Sequence, residues 1–214
     1  MDSMTLISCY RLLAEILLYP EARQEDVIRQ LGPLVEGAPD DVRTPLIELL
    51  ANPAIHDCGA YIEELEITRD RPLYLGFYLF DEPDSCQSAG TCGRNGYMIE
   101  LAAIYRHYGL ELDGSEMPDF LPLVLDSLAL TEDRRKGDEG ALRAKLIRNY
   151  VQPAVIAMHE RFSEHDGVWL LAVDALAALL RAELSELPVV SRTADAQPLT
   201  TTQPSPTASL KELP

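Results

Sequence analysis

Four cysteines, 4 histidines and 35 carboxylate side chains are the groups in this 214-residue chain with obvious chemical capacity. Cys86 and Cys92 stand C-x5-C apart, which does not match the tight spacing of a zinc knuckle. Use of this pair for metal binding or redox chemistry stays open as an alternative reading. Cys9 and Cys58 fall on predicted helix faces and read as core thiols; four scattered cysteines make no disulfide framework. His159 and His165 lie six apart in HERFSEH, out of the i, i+4 register of a zinc-protease helix, and read as a solvated helix end. His56 and His107 are isolated. Adjacent carboxylates such as Glu63-Glu64 and Asp81-Glu82 are expected in so acidic a chain, and none stands out as an acid–base pair. There is no Gly-x-Ser-x-Gly, no catalytic cysteine signature and no phosphate loop ending in Lys-Ser/Thr. Gly90 to Gly96 form a glycine-rich loop before a helix, where Arg94 could help hold an anion. No strand precedes it, so the dinucleotide reading fails and a turn into a helix is favoured. These residues name no catalytic group, no metal-ligand set and no cofactor, and the chain reads as a binding protein rather than an enzyme.

What stands out is aromatic density beside acid. Tyr74, Phe77, Tyr78 and Phe80 precede Asp81, Glu82 and Asp84, and Met117, Pro118, Asp119 and Phe120 repeat the mixture. Such surfaces grip an amphipathic basic peptide: apolar contacts supply affinity and the acids choose the register. Most of these aromatics are nonetheless expected in the core. The net charge of −17 argues against general nucleic-acid binding and suits a basic partner.

The elements that must position these groups are helical. Leu6, Tyr10, Leu13 and Leu17 recur at steps of three and four within Met4–Tyr19, with Ser3 as a cap and Pro20 as a stop. Gln24–Glu36 is a second helix. A third covers Asp41–Ala51, weakened by Pro45 unless Thr44 caps it. Asn52-Pro53 opens a helix to Ile67. The aromatic run Pro72–Phe80 fits a buried helix or one strand; with no partner strand nearby its backbone could not be satisfied, so a short buried helix is predicted. Asp81–Arg94 is loop. Helices follow at Asn95–Tyr108, stopped by Gly109, and at Asp119–Leu130. A helix capped by Asp138 runs to Val151, where Pro153 must kink or break it before a segment to Ser163. Gly167–Glu186 is the last, with a wide apolar face.

The fold class is therefore all-α: a single-domain bundle of about nine helices over residues 1–188, with a disordered Ser/Thr/Pro-rich tail at 189–214. No apolar run is long enough to span a membrane, and the N-terminus lacks the basic and apolar regions of a signal peptide, so a cytoplasmic location is expected.

The stretch from residue 70 to 130 resembles the NarJ/TorD family of redox-enzyme maturation chaperones, most closely its NarJ-like branch. Leu73-Tyr74-Leu75 looks like the Leu-Tyr-Leu of that branch. Gly90 through Arg94-Asn95-Gly96 looks like its glycine loop ending in Arg-x-Gly. Met98–Leu101 and Tyr105–Leu110 resemble its helix closing with Tyr and Gly-Leu, and Glu116–Pro122 resembles its Glu-Leu-Pro-Asp-His-Leu-Pro motif. Phe120 stands where the motif has His, and Cys86 and Cys92 are not expected from the family. The resemblance implies an all-helical, non-enzymatic protein. Its expected partner is the apo catalytic subunit of a molybdenum-containing oxidoreductase such as a nitrate reductase, held by a basic or twin-arginine-type N-terminal segment until the molybdenum cofactor is inserted. It also implies Glu116, Pro118 and Asp119 as motif residues, with Tyr74, Leu75, Tyr78, Gly96, Tyr105 and Phe120 as the peptide-contact surface. No cofactor of its own is implied, and the expected state is a monomer or a helix-swapped dimer. A generic helical adaptor is the other alternative.

Overall fold

The three-to-four spacing of Leu6, Leu13 and Leu17 with Tyr10 builds α1 (Ser3–Ile16), whose buried face lies at the centre of the core. The computed structural model describes residues 1–67, 70–80, 93–165 and 167–188. Asp2, not Ser3, caps α1: its Oδ1 accepts the Thr5 N–H at 3.0 Å. The helices that follow are α2 (Glu25–Leu31), α3 (Asp40–Ala51), α4 (Cys58–Tyr61), α5 (Leu75–Leu79), α6 (Gly93–His107), α7 (Leu121–Leu130), α8 (Gly137–Lys145), α9 (Gln152–Ser163) and α10 (Trp169–Glu186). The described residues are helical with no strand, as the periodicity predicts. No helix among them is long and apolar enough to cross a membrane.

Packing runs through two central helices. α1 lies against α7 and touches α10, while α10 packs on α3 and α9. The wide apolar face of α10 is explained by these neighbours: Ala172, Ala175, Leu176, Leu179 and Leu180 are all buried. Ala172, Ala175 and Ala178 fall at successive turns of that face.

Several boundaries differ from the sequence reading, each for a local reason. The second predicted helix tightens into a 3-10 turn at Gly32–Gly37, where Pro33 withholds its N–H. Thr44 is not a cap. α3 starts four residues earlier behind Pro39, its first turn carries Asp40 and Asp41, which favour a helix N-terminus, and Pro45 sits inside it. The missing Pro45 hydrogen bond is tolerated because Val42, Leu46 and Leu49 are buried. The Asn52-Pro53 start yields one 3-10 turn, and Asp57 caps α4 through the Gly59 N–H at 2.7 Å. Pro153 does not stop the chain: residues 137–163 form one unbroken helical run. A π turn at Leu146–Val151 joins α8 to α9 and places Pro153 in the first turn of α9, where no N–H is required. The predicted loop at Asp81–Arg94, the Cys86/Cys92 pair and the tail at 189–214 lie outside the described residues, apart from Gly93 and Arg94, which begin α6.

A buried polar network crosses the core beside α10. Arg143 and Glu183 are 0% and 1% exposed; Arg143 Nε and Nη2 donate to Glu183 at 2.5 and 3.2 Å, and Nη1 donates to Thr131 Oγ1 at 2.8 Å. Tyr10 donates its hydroxyl to Glu183 Oε2 at 2.6 Å, and burial together with that carboxylate holds its pKa well above the usual value. The network ties α1, α8 and α10 together.

Candidate functional site

Phe120 and Tyr74 are 46 positions apart, yet their backbones meet. They form an isolated antiparallel bridge in which Leu75 N–H donates to Asp119 O at 2.9 Å and Leu121 N–H to Leu73 O at 2.7 Å. The run read as either strand or helix is thus both in sequence: one bridged residue, then α5. Its partner is a single residue of the motif segment, which no strand pattern could reveal.

Asp119 completes this junction. Its side chain is 0% exposed, and Oδ2 accepts the Gly76 N–H at 3.1 Å, Arg94 Nε at 3.2 Å and Arg94 Nη2 at 3.0 Å. The residue before α5 makes no side-chain cap, so Asp119 satisfies one of that helix's first-turn donors from across the fold. A Cβ on Gly76 would lie 2.7 Å from Asp119 Oδ2 and 2.9 Å from Arg94 Cγ and Nε. Gly76→Ala is therefore expected to force the clamp apart and lower stability by about 1–3 kcal/mol, measured by chemical denaturation. An unchanged midpoint would show that the clamp can move aside.

The remaining motif residues brace the same turn. Tyr105 donates its hydroxyl to Pro118 O at 2.9 Å, and Tyr74 donates its own to Glu116 Oε2 at 2.9 Å. The Tyr74 ring packs on Phe120 with centroids 5.3 Å apart, and the Arg94 guanidinium lies 5.9 Å from the Tyr74 ring centre. Burial, with the Glu116 hydrogen bond and charge, pushes the Tyr74 hydroxyl up to about 12, so it remains a donor at neutral pH. Tyr78 is turned to a different task, donating to Pro72 O at 3.0 Å.

Two grooves meet at this turn. One, of about 370 Å³, runs between the end of α1, the 110–116 segment and α7; Leu18, Leu110, Leu123 and Leu130 give it apolar walls, and Glu15, Glu111, Asp113, Glu116 and Asp126 line it with carboxylates. The other, of about 470 Å³, is walled by Tyr19, Tyr61, Leu65, Leu73 and Tyr74 and carries Glu66 and Glu116. Leu18, Glu116 and Phe120 belong to both, and neither is lined by a described Lys, Arg or His. Some of these acids are already engaged: Glu15 accepts the Gln24 N–H at 3.1 Å, and Asp126 faces Arg11 at 3.3 Å.

The structure therefore brings together Tyr74, Glu116, Pro118, Asp119, Phe120 and Tyr105. It sorts them by depth: Glu116 is exposed and Tyr74 and Phe120 are half-buried at the grooves, whereas Leu75, Asp119 and Tyr105 lie in the core. Gly96 is set apart on the exposed face of α6, where a Cβ would meet open space. Sequence reasoning missed Gly76 and Leu18, and it considered Arg94 only for an anion. The Arg-x-Gly pattern marked Arg94; nothing local marked Leu18.

The described residues hold no cluster of three or more His, Cys, Asp or Glu suited to a metal ion. His159 Nε2 lies 2.9 Å from Asp174 Oδ1, with Ser163 Oγ 3.4 Å from Nδ1, an arrangement with the composition of a hydrolytic triad. The Ser163 hydroxyl instead donates to the His159 carbonyl at 2.6 Å within its own helix, which leaves it poorly placed as a nucleophile.

No family model matches the chain. Among curated proteins it is 36% identical over 93 residues to the probable nitrate reductase molybdenum cofactor assembly chaperone NarW of Escherichia coli strain K12. The match covers 43% of this chain and 36% of that protein, so it spans little more than a third of the relative's length. This relative bears out the resemblance to the NarJ-like maturation chaperones that the motifs between residues 70 and 130 carry.

Proposed function

We propose that this chain is a maturation chaperone that binds the apo catalytic subunit of a molybdenum-containing oxidoreductase, such as a nitrate reductase, and assists insertion of its molybdenum cofactor. The observation that carries the reading is the pair of grooves joined at Leu18, Glu116 and Phe120, apolar in their walls, acidic in their lining and without a described base. An extended or helical segment with apolar anchors and arginine or lysine beside them has the complementary chemistry. The relative's name supplies the client class. On this reading the client's N-terminal segment lies in the grooves, with Glu116, Tyr74 and Phe120 as contacts. Leu75, Tyr105 and Asp119 shape the site from beneath, and the protein works as one helical domain over residues 1–188 in the cytoplasm. It requires no catalytic residue and no cofactor of its own.

The test is a titration of the purified chain with the N-terminal peptide of a nitrate reductase catalytic subunit from the same organism, at low and high salt. Saturable one-to-one binding is expected. Glu116→Ala should weaken it about three- to tenfold at low salt and much less at high salt, since a rim carboxylate acts through a screened charge. Its unfolding free energy should stay within about 0.5 kcal/mol of wild type. Binding that ignores both salt and Glu116 would remove the acidic groove from the mechanism.

A further inference from the structure

We infer that the Asp119 carboxylate is a guanidinium site which the chain fills with its own Arg94 until an arginine of the bound segment takes that place; this rests on the binding role proposed above. The two oxygens of Asp119 are used unequally. Oδ2 accepts all three hydrogen bonds, two of them from Arg94, while Oδ1 is buried and has no hydrogen-bond partner among the described residues. A guanidinium bound to best advantage would fork across both oxygens. Arg94 instead places two of its N–H groups, from Nε and Nη2, on one, and a buried carboxylate oxygen left without a donor is costly. The site is thus built for more donors than its internal occupant supplies.

Arg94 is also placed to leave. Its side chain is 34% exposed, against 0% for Asp119, and its guanidinium lies over the Tyr74 ring. Tyr74 is a wall of the larger groove and donates to Glu116, which lines both grooves. Asp119 and Arg94 line neither groove; the Tyr74 ring, a wall of the larger one, stands between it and Arg94, so an arginine passing Glu116 comes to that ring and reaches the carboxylate only as Arg94 vacates it. The aromatic face can hold either guanidinium. Gly76 keeps the floor of the site clear, since any Cβ there would strike both Asp119 and Arg94. Exchanging one cation for another leaves the buried carboxylate paired throughout, which a simple opening would not. A lysine lacks the planar fork and is expected to exchange poorly.

The experiment compares wild type, Arg94→Lys, Arg94→Ala and the double variant Arg94→Ala with Asp119→Asn. Each is titrated with the client N-terminal peptide and with the same peptide carrying lysine in place of arginine. If Arg94 fills the site about nine-tenths of the time, its removal raises affinity for the arginine peptide about tenfold. The lysine peptide should gain little, Arg94→Lys should be intermediate, and Asp119→Asn should abolish the gain. Because Arg94→Ala leaves a buried carboxylate unpaired, its melting is also followed with methylguanidinium, which should stabilise it saturably and leave wild type and the double variant unmoved. If wild type binds the peptide and neither Arg94 variant binds the arginine form more tightly, the exchange is overturned and the binding role stands. If no variant binds either peptide, the binding role falls and the exchange with it. Failure of methylguanidinium to stabilise Arg94→Ala overturns the site whatever the peptide does.

Discussion

Replacing Arg143 with methionine is expected to lower the unfolding free energy by about 3–5 kcal/mol, because it strands Glu183 as a buried charge without its cation. Glu183 is 1% exposed and is held by Arg143 and by the Tyr10 hydroxyl; the other nearby cation, Arg135 Nε, is 3.5 Å from it. For a chain of this size the melting temperature should fall by roughly 6–20 °C, at about 2–4 °C per kcal/mol. The pair's worth lies in its completeness rather than in attraction. Arg143→Met combined with Glu183→Leu should therefore recover a large part of the loss, since apolar residues often replace a buried ion pair at little cost. A double variant as unstable as the single one would show that the contacts to Tyr10 and Thr131, not the charge, hold α1, α8 and α10 in place.

Asp119→Ala should be the most damaging change at the candidate site. It leaves the Gly76 N–H and Arg94 without their acceptor and releases the turn that carries the Tyr74–Phe120 bridge. Loss of the ion pair, whose two bonds from Arg94 share one oxygen, and the stranded Gly76 donor together amount to about 2.5–6 kcal/mol. The client peptide should then bind at least about tenfold more weakly, although no atom of Asp119 is exposed, because the acid–aromatic edge it supports is displaced and the inferred guanidinium site is lost with it. Glu116→Ala is the counterpart, an exposed change that weakens binding at nearly constant stability. Denaturation midpoints and peptide affinities measured on both variants check the pair. Equal effects of Asp119→Ala and Glu116→Ala on both readouts would contradict the division between a buried carboxylate that also holds the fold and an exposed one that does not.

Much of this molecule was legible along the chain. The helical periodicity of Leu6, Tyr10, Leu13 and Leu17 placed α1, and the all-α class followed from its repetition. Gly109, with φ of +77°, stops α6 where a glycine was expected to. The motif Glu116–Pro122 and the Leu-Tyr-Leu at 73–75 marked the region that the fold makes into a turn between two grooves. These signals are local: they reside in residue types a few positions apart, and the backbone responds to them within one or two turns.

The rest was settled by distance in sequence collapsing into distance in space. Gly76, Arg94 and Asp119 are separated by 18 and 25 positions, and only the packing of α5, α6 and the 119–121 segment makes them a clamp. Tyr74 found its bridge partner 46 residues away, too short a pairing to leave an alternating pattern. Arg143 and Glu183 are 40 apart, and only the assembled core brings them together and buries them. Leu18 gave no sign that it would border both grooves. The sequence by itself determined the class of the fold, the motif and the acidic character of the chain, because those depend on composition and local period. The tertiary structure alone decided which motif residues are exposed beside the grooves and which are buried beneath them, because burial is a property of the assembled core and not of any residue in it.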